Sequence, residues 1–285
     1  MTTKSFAKTS SKTDPIAVGG VGGSGTRVVA NFLEMLGFDM GSDINESLDN
    51  LTFTLLFKRP ALLPIERNQS EIRACIGYFI QAMTRSNSWD NDQRIHLNNI
   101  AAESRGLQND EKLALRLLNI FNPSPKHVGL AWGWKEPNTH LFLSTLLEEI
   151  PSLRYVHVLR NGLDMAYNAN LAQLRLWGEW MLNDGSNEET PERAFRFWCE
   201  ANRRVLALAE RFPEQIFFCN YDRMLMQPSL EIPSLLRCLS LNCETDTIKA
   251  MCLGLKVPSS LGVHRAHPGF PICDEDQALL VQLGY

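Results

Sequence analysis

A glycine-rich segment near the start of the chain holds the residues best suited to bind an anion. Residues 18–27 read VGGVGGSGTR, with five glycines among the seven residues from Gly19 to Gly25. Glycines let backbone N–H groups approach a ligand closely, and Thr26 opens a helical pattern, where the helix dipole favours negative charge. The segment therefore predicts a cradle for a phosphate or a related oxyanion.

Known phosphate-binding patterns match this segment only in part. Residues 20–25 fit GxGxxG, which leaves a nicotinamide-dependent dehydrogenase as one alternative, but no strand pattern precedes Asp39 or Asp43, where the acidic ribose ligand is expected. The segment also approximates a P-loop, with Thr26 in place of the phosphate-binding lysine. A third alternative is a P-loop variant for a phosphosulfate, because a sulfuryl group carries less charge than a γ-phosphoryl group and has less need of a metal.

Composition excludes several classes of protein. The chain has 285 residues, of which 44% are hydrophobic and 21% are charged, and its formal net charge is −4. These values are typical of a globular protein, and they give no bulk positive charge to bind nucleic acid. No apolar run is long enough to span a membrane. The seven cysteines show no zinc-site spacing, so we expect no metal and a reduced, cytoplasmic protein.

The order of strand and helix patterns predicts how these residues are positioned. Strands are predicted at residues 16–18, 130–135, 154–160 and 215–221, with helical patterns between them and an irregular crossover at residues 39–60. Such alternation predicts an α/β fold, in which a P-loop-like parallel sheet carries helices on both faces. We expect a disordered lead at residues 1–14 and a single domain at residues 15–285, with a helical insertion near residues 60–128.

Four further segments follow the glycine-rich segment in an order typical of one enzyme superfamily. Residues 132–140 read WGWKEPNTH, residues 154–168 read RYVHVLRNGLDMAYN, residues 220–225 read NYDRML with Pro228 beyond, and residues 257–262 read VPSSLG. With these segments the sequence resembles the sulfotransferases that depend on PAPS (3′-phosphoadenosine 5′-phosphosulfate), most closely the tyrosylprotein sulfotransferases and related bacterial enzymes. The resemblance implies transfer of a sulfuryl group from PAPS to a hydroxyl or amine by in-line displacement.

The resemblance also assigns roles to single residues. It implies that the glycine-rich segment surrounds the 5′-phosphosulfate, that Arg160 and Asn168 bind the 3′-phosphate, and that the segment at residues 257–262 forms a C-terminal cofactor loop. An arginine offers a bidentate fork to phosphate, and an amide can donate where the family has a serine. The implied cofactor residues are Gly22, Gly23, Ser24, Gly25, Thr26, Arg27, Arg160, Asn168, Tyr221, Ser259 and Ser260.

Catalysis needs a cation for the developing charge and a base for the proton of the acceptor. By resemblance Lys135 is the cation and Glu46 the base, with Asp43 and His140 as alternative bases. Gly23 stands where the tyrosylprotein enzymes have an arginine, which leaves a non-catalytic nucleotide-binding protein as an alternative function. The expected partners are PAPS and an acceptor, which is a carbohydrate, a lipid, a small molecule or a peptide.

Overall fold

A four-stranded parallel sheet forms the centre of the computed structural model, which describes residues 14–84, 88–103, 110–122 and 131–285. Its strands are β1 (Ile16–Gly19), β2 (Gly133–Lys135), β3 (Arg154–Leu159) and β4 (Ile216–Asn220), in the order β2-β1-β3-β4. All three pairs are parallel, with Val18 opposite Lys135 and Gly19 opposite His157. The carboxyl ends of the strands therefore meet at one edge, which we call the carboxyl edge.

Helices cover both faces of this sheet, which confirms the predicted α/β fold. They are α1 (Thr26–Met35), α2 (Leu51–Phe57), α3 (Gln69–Met83), α4 (Asn91–Glu103), α5 (Asp110–Phe121), α6 (Leu143–Glu149), α7 (Gly162–Ala166), α8 (Ala172–Leu182), α9 (Pro191–Arg211), α10 (Tyr221–Met226), α11 (Pro228–Cys238), α12 (Thr245–Gly254) and α13 (Asp274–Gln282). Alternate residues of β1 point to opposite faces: Ala17 packs against the layer that contains α2, α3, α6 and α9, whereas Ile16 and Val18 pack against α1 and α10 to α12. None of the helices in the described ranges is long and apolar enough to cross a membrane.

Helix α2 corrects the expectation of an irregular crossover at residues 39–60. The side chain of Asn50 caps this helix by accepting the backbone N–H of Phe53 at 2.9 Å. The ring of Phe53 then stacks on that of Trp134 in β2, with 6.0 Å between the ring centroids. The helix was missed because seven residues are too few to show a helical period, and its stability comes from packing on the sheet.

The predicted domain boundaries fall partly outside the described residues. Residues 1–13 of the expected lead are not described, and neither are residues 123–130, where the predicted helical insertion ends. Helices α3, α4 and α5 lie within the predicted insertion, between α1 and β2. The division of the chain into a lead, a domain and an insertion stays a prediction.

Candidate functional site

The glycine loop, residues 19–25, joins β1 to α1 at the carboxyl edge of the sheet. Gly23 and Gly25 have φ angles of 97° and 100°, which side-chain-bearing residues rarely adopt. A Cβ atom on Gly25 would also lie 2.7 Å from Cγ of Tyr221, and one on Gly23 would lie 2.2 Å from Nδ2 of Asn168. Both positions therefore require glycine, and two predicted cofactor residues pack directly on the loop.

The start of α1 leaves backbone donors for a ligand. Gly25 is the N-cap residue, and no side chain in the described ranges caps this helix. The first N–H groups of a helix have no partner within it, so those of Thr26 and Arg27 are suited to an anion. The N–H of Gly22 instead donates to Oε1 of Gln173 at 3.0 Å. The part of the loop after Gly22 is thus the better anion cradle.

Gln173, in α8, was missed by the sequence analysis although it holds the glycine loop. Besides accepting from Gly22, it donates from Nε2 to the backbone oxygen of Gly20 at 3.3 Å. The residue is buried, and its amide satisfies one donor and one acceptor of the loop. Nothing in the sequence signals this role, because Gln173 is one of several polar residues in an amphipathic helical pattern.

Arg160 follows β3 and links the glycine loop to the C-terminal loop. Its Nη1 donates to the backbone oxygen of Gly23 at 3.1 Å and its Nη2 to Oγ of Ser260 at 2.7 Å. The residue is only 4% exposed, it forms no ion pair among the described residues, and its buried Nε has no partner there. A buried guanidinium with only neutral partners strongly favours the arrival of an anion.

The C-terminal loop is fixed to α7 by one carboxylate. Asp164, which is 2% exposed, accepts the N–H of Gly262 at 2.6 Å and both the N–H and Nδ1 of His264. Although burial opposes it, the hydrogen bond from His264 helps to lower the pKa of Asp164. These contacts bring Ser260 to Arg160, whereas Ser259 faces solvent.

Lys135, the last residue of β2, lies in a different electrostatic setting. It is 3% exposed, and its Nζ donates to Oδ1 of Asp49 at 2.5 Å and to the backbone oxygen of Ser47 at 3.0 Å. The Oγ of Ser47 accepts from Nη2 of Arg27 at 2.6 Å. Residues 45–49 therefore connect two predicted site cations, and Asp49 is a carboxylate that the sequence analysis did not single out.

Two of the predicted bases, Glu46 and Asp43, lie away from the contact between Lys135 and Asp49. Glu46 is in the same loop as Asp49, but its side chain is exposed. Asp43 interacts with Arg116 and Asn119, and burial raises its pKa. The structure thus puts Asp49, and neither of these two carboxylates, in contact with Lys135.

His140, the third predicted base, is buried near Gln173, the residue that binds the glycine loop. It is 4% exposed and lies beside Gln173 and His157. Burial, together with the neighbouring His157, lowers the pKa of His140 to about 3, so the imidazole is neutral at pH 7. Its contacts connect it to the back of the loop and not to Lys135.

Glu136, adjacent to Lys135 in the chain, has a structural role. Its two carboxylate oxygens accept the backbone N–H and the side-chain amide of Asn138, at 2.6 and 2.8 Å. Trp177 donates to the same amide from its Nε1 at 2.9 Å. Burial, and then the negative charge of Asp49, raise the pKa of Glu136 to about 7. The carboxyl group thus fixes the chain just after Lys135.

Comparisons with known proteins identify the family. The sequence profile described as "Sulfotransferase family" matches residues 15–245. The chain belongs to the sulfotransferase family. Four of the segments quoted above, from the glycine-rich segment to NYDRML, lie within the matched region. Membership of this family supports a transferase activity, and it implies a sulfuryl donor.

Solved sulfotransferase structures are similar to this chain at low identity. The sulfotransferase domain of the Synechococcus PCC 7002 olefin synthase is 14% identical, with 99% of each chain covered and a TM-score of 0.48. The sulfotransferase domain from the curacin biosynthetic pathway is also 14% identical, with 96% of this chain and 98% of that chain covered and a TM-score of 0.46. Sulfotransferase STF1 of Mycobacterium tuberculosis is 14% identical, with 85% and 71% covered and a TM-score of 0.42. A search of curated proteins gave no match.

The carboxyl edge of the sheet carries cationic side chains. In the ranges that the structure describes, no group of three or more His, Cys, Asp and Glu side chains is arranged to hold a metal ion. The cations at the carboxyl edge are instead Lys135, Arg160 and Arg27, and they belong to the chain itself.

Proposed function

We propose that this protein transfers a sulfuryl group from PAPS to a hydroxyl or amine acceptor. The observation that carries the proposal is Arg160: a buried guanidinium with neutral partners only, hydrogen-bonded to the glycine loop itself. Within the described residues, the buried Nε of Arg160 and the buried Oγ of Ser24 both lack a partner. One of these unpartnered donors is on the glycine loop and the other is on Arg160, which is bonded to that loop. Such a pair fits a ligand that carries two anionic groups.

The cofactor residues divide between the two anionic groups. Arg160, Asn168 and Ser260 would bind the 3′-phosphate, and Ser259, which precedes Ser260 in the chain, stays in the proposed set. The N–H groups of Gly23, Gly25, Thr26 and Arg27, with Oγ of Ser24, would bind the 5′-phosphosulfate, whereas the N–H of Ser24 already donates to the backbone oxygen of Val21. Tyr221 packs on Gly25 and would border the nucleotide between these groups. Gly22 would contribute shape, since its N–H is held by Gln173.

The chemistry is an in-line displacement at sulfur. The acceptor oxygen or nitrogen forms a bond to sulfur while the bond from sulfur to the bridging oxygen breaks, and 3′-phosphoadenosine 5′-phosphate leaves with the electron pair. Lys135 stabilises the negative charge that develops on the bridging oxygen, since a buried cation acts strongly in a site of low dielectric. The proton of the acceptor goes to a carboxylate of the loop at residues 45–49, for which Glu46 and Asp49 are the candidates.

Nucleotide binding gives the first test. At about one hundred times its dissociation constant, 3′-phosphoadenosine 5′-phosphate should stabilise the protein by about 2.7 kcal/mol, which chemical denaturation can measure. NADH and ATP at the same concentration serve as controls. Stabilisation by NADH or ATP without any by the bisphosphate would refute the proposal.

Transfer of label gives the second test. With [³⁵S]PAPS and panels of carbohydrates, lipids, phenols and peptides, label should appear on one class of acceptor. Bisphosphate binding without transfer to any class of acceptor would favour the non-catalytic alternative on the same fold.

We also propose that the protein is cytoplasmic. Its seven cysteines support this location, since all of them are free thiols.

A further inference from the structure

A short loop at residues 45–49 directly precedes the N-cap residue of α2, and it closes on itself through the backbone. The N–H of Asn45 donates to the backbone oxygen of Asp49 at 3.2 Å. The N–H of Asn50, directly after the loop, donates to the backbone oxygen of Lys135 at 2.8 Å. Backbone bonds therefore fix the position of this loop, which we call the 45–49 loop, relative to Lys135.

The carboxamide of Asn45 organises the 45–49 loop. Its Oδ1 accepts the backbone N–H of Ser47 at 2.8 Å and that of Asp49 at 2.9 Å. Because an amide nitrogen cannot accept a hydrogen bond, these two contacts fix which way the amide faces. Its Nδ2 then donates to Oδ2 of Asp49 at 3.0 Å. One side chain thus binds both loop residues that contact Lys135.

The ammonium group of Lys135 has one N–H left for a ligand. It carries three N–H groups. Two of them donate to Oδ1 of Asp49 at 2.5 Å and to the backbone oxygen of Ser47 at 3.0 Å, and no third partner lies in the described part of the chain. Because the N–H bonds point to the corners of a tetrahedron, two fixed bonds also fix the direction of the third. The 45–49 loop therefore determines where Lys135 can donate.

Asp49 transmits the effect of Asn45 to Lys135, because each of its carboxylate oxygens has its own donor. Oδ1 accepts from Lys135, and Oδ2 accepts from Asn45. With Oδ2 unbound, the carboxylate would be free to bind the ammonium through both oxygens or to turn towards solvent, since the side chain is 22% exposed. The amide of Asn45 opposes both movements.

The backbone at Leu48 shows that neighbouring contacts hold the loop in one conformation. Its φ angle is 61°, in the left-handed region that a bulky side chain rarely occupies. Its N–H donates to the backbone oxygen of Asn45 at 2.9 Å, and its side chain packs against the apolar cluster between the sheet and α1. A residue in this region persists only where the surrounding structure determines it. The 45–49 loop is therefore suited to hold Lys135 in one orientation.

We propose that Asn45 is a positioning residue for sulfuryl transfer. Its carboxamide holds Asp49 and Ser47 so that the remaining N–H of Lys135 points to the oxygen that bridges phosphorus and sulfur in the donor. Asn45 itself does not touch the reacting atoms. Its side chain is exposed, so its replacement should leave the core intact. The role in transfer rests on the proposed function, whereas the hold on Lys135 does not.

Turnover with [³⁵S]PAPS and the acceptor found in the panel assay tests the catalytic role. Asn45→Ala should lower kcat by about tenfold, since small misplacements of a catalytic group are costly. The dissociation constant of 3′-phosphoadenosine 5′-phosphate should change by no more than about threefold, because the lost contact matters mainly in the transition state. An unchanged kcat in Asn45→Ala would overturn the proposal.

Asn98→Ala is the matched control. Asn98 is an exposed asparagine of α4, and its Nδ2 donates to the backbone oxygen of Arg94 at 2.7 Å. Its replacement removes an amide of the same kind outside the candidate site, so kcat should stay at the wild-type value. An equal fall of kcat in Asn98→Ala and Asn45→Ala would show a general loss of stability and would refute the positioning role.

Asn45→Asp separates the amide donor from the amide acceptor. An aspartate keeps an oxygen for the two backbone N–H groups, but at pH 8 it places a second carboxylate against that of Asp49. Repulsion then replaces the bond to Oδ2 of Asp49, so kcat should fall at least as far as in Asn45→Ala. A wild-type kcat in Asn45→Asp would show that the loop backbone alone positions Lys135, which contradicts the proposal.

The hold on Lys135 is tested without nucleotide by the reactivity of its amine. Trace acetylation of the ligand-free protein with acetic anhydride, followed by mass spectrometry of its peptides, compares Lys135 with Lys249, which is exposed on α12. Relative to Lys249, Lys135 should react about fivefold faster in Asn45→Ala than in the wild type, because its ion pair is held less firmly. Asn98→Ala should match the wild type. Equal reactivity of Lys135 in Asn45→Ala and the wild type would refute the hold.

The two measurements separate this inference from the proposed function. If the wild type transfers a sulfuryl group and Asn45→Ala keeps its kcat, the proposed function stands and the positioning role fails. If the wild type transfers none to any class of acceptor, the proposed function and the catalytic role of Asn45 both fail. The acetylation rates then decide only whether Asn45 holds Lys135.

Discussion

Two buried cations, Lys135 at one end of the candidate site and Arg160 at the other, differ in the charge of their hydrogen-bond partners. Lys135 and Arg160 are almost equally buried, at 3% and 4% exposed. Lys135 donates to the carboxylate of Asp49, whereas Arg160 donates to a backbone oxygen and a hydroxyl. An uncompensated buried charge attracts a permanent anion, and a compensated one responds mainly when charge changes nearby. The difference suggests that the Arg160 end binds and the Lys135 end reacts.

Replacement of the paired cation should give the largest effect. Lys135→Ala should lower kcat by about 100- to 1,000-fold, because a preorganised donor to the transition state is lost. The dissociation constant of 3′-phosphoadenosine 5′-phosphate should change by no more than about threefold. Steady-state kinetics and calorimetry measure the two quantities. A loss of binding as large as the loss of turnover would remove the distinction between the two ends.

Replacement of the unpaired cation should give the complementary result. Arg160→Ala should weaken binding of the bisphosphate nucleotide by about 10- to 100-fold, because hydrogen bonds between charged groups contribute about 1.5 to 3 kcal/mol. Adenosine 5′-phosphate, which lacks the 3′-phosphate, is the matched ligand control and should lose much less. Equal losses for both nucleotides would place the 3′-phosphate elsewhere.

The roles of two carboxylates near Lys135, those of Asp49 and Glu46, can be distinguished by substitution. Asp49→Asn should lower kcat by about tenfold or more if the carboxylate that contacts Lys135 receives the proton. Glu46 lies three residues earlier in the chain and is exposed, so Glu46→Gln should lower kcat less. Rates over pH 5 to 9 show which variant loses the acidic limb of the profile. The opposite order would return the role of base to Glu46.

The smallest effect is expected on the free energy of unfolding when Glu136, next to Lys135, is replaced. The pKa of Glu136 is raised in the fold to about 7, so its contribution to stability is present below the unfolded value and is lost as pH rises through about 7. Glu136→Gln removes this loss. Urea denaturation at pH 5 and pH 8 should show a pH-dependent decrease smaller by on the order of 1 kcal/mol in the variant. An unchanged decrease would show that Glu136 ionises normally.

Much of the carboxyl edge was predictable because parallel strands fix it. Gly20, Lys135, Arg160 and Tyr221 stand at or just after the ends of the four strands, so each strand prediction already placed them at one edge. The glycine loop was predictable because its residues are local and contiguous. These positions follow from chain direction and backbone conformation alone.

Asp49 and Gln173 were not predictable for the opposite reason. Each reaches the site through tertiary packing: Asp49 lies before α2, which the sequence analysis did not find, and Gln173 lies on α8. Their partners are 86 and 151 residues away in the chain. No spacing rule links residues so distant, so contacts of this kind are visible only once the helices are packed.

The hydrogen bonds of Asp164 to residues 262–264 bear on the entropy of nucleotide binding in the proposed function. Three bonds to one carboxylate hold this stretch in place in the folded protein. The ordering entropy of that stretch is then lost during folding and not at the moment of encounter. Ser260 is hydrogen-bonded to Arg160 without a ligand, so the nucleotide of the proposed function would meet a rim that is already formed.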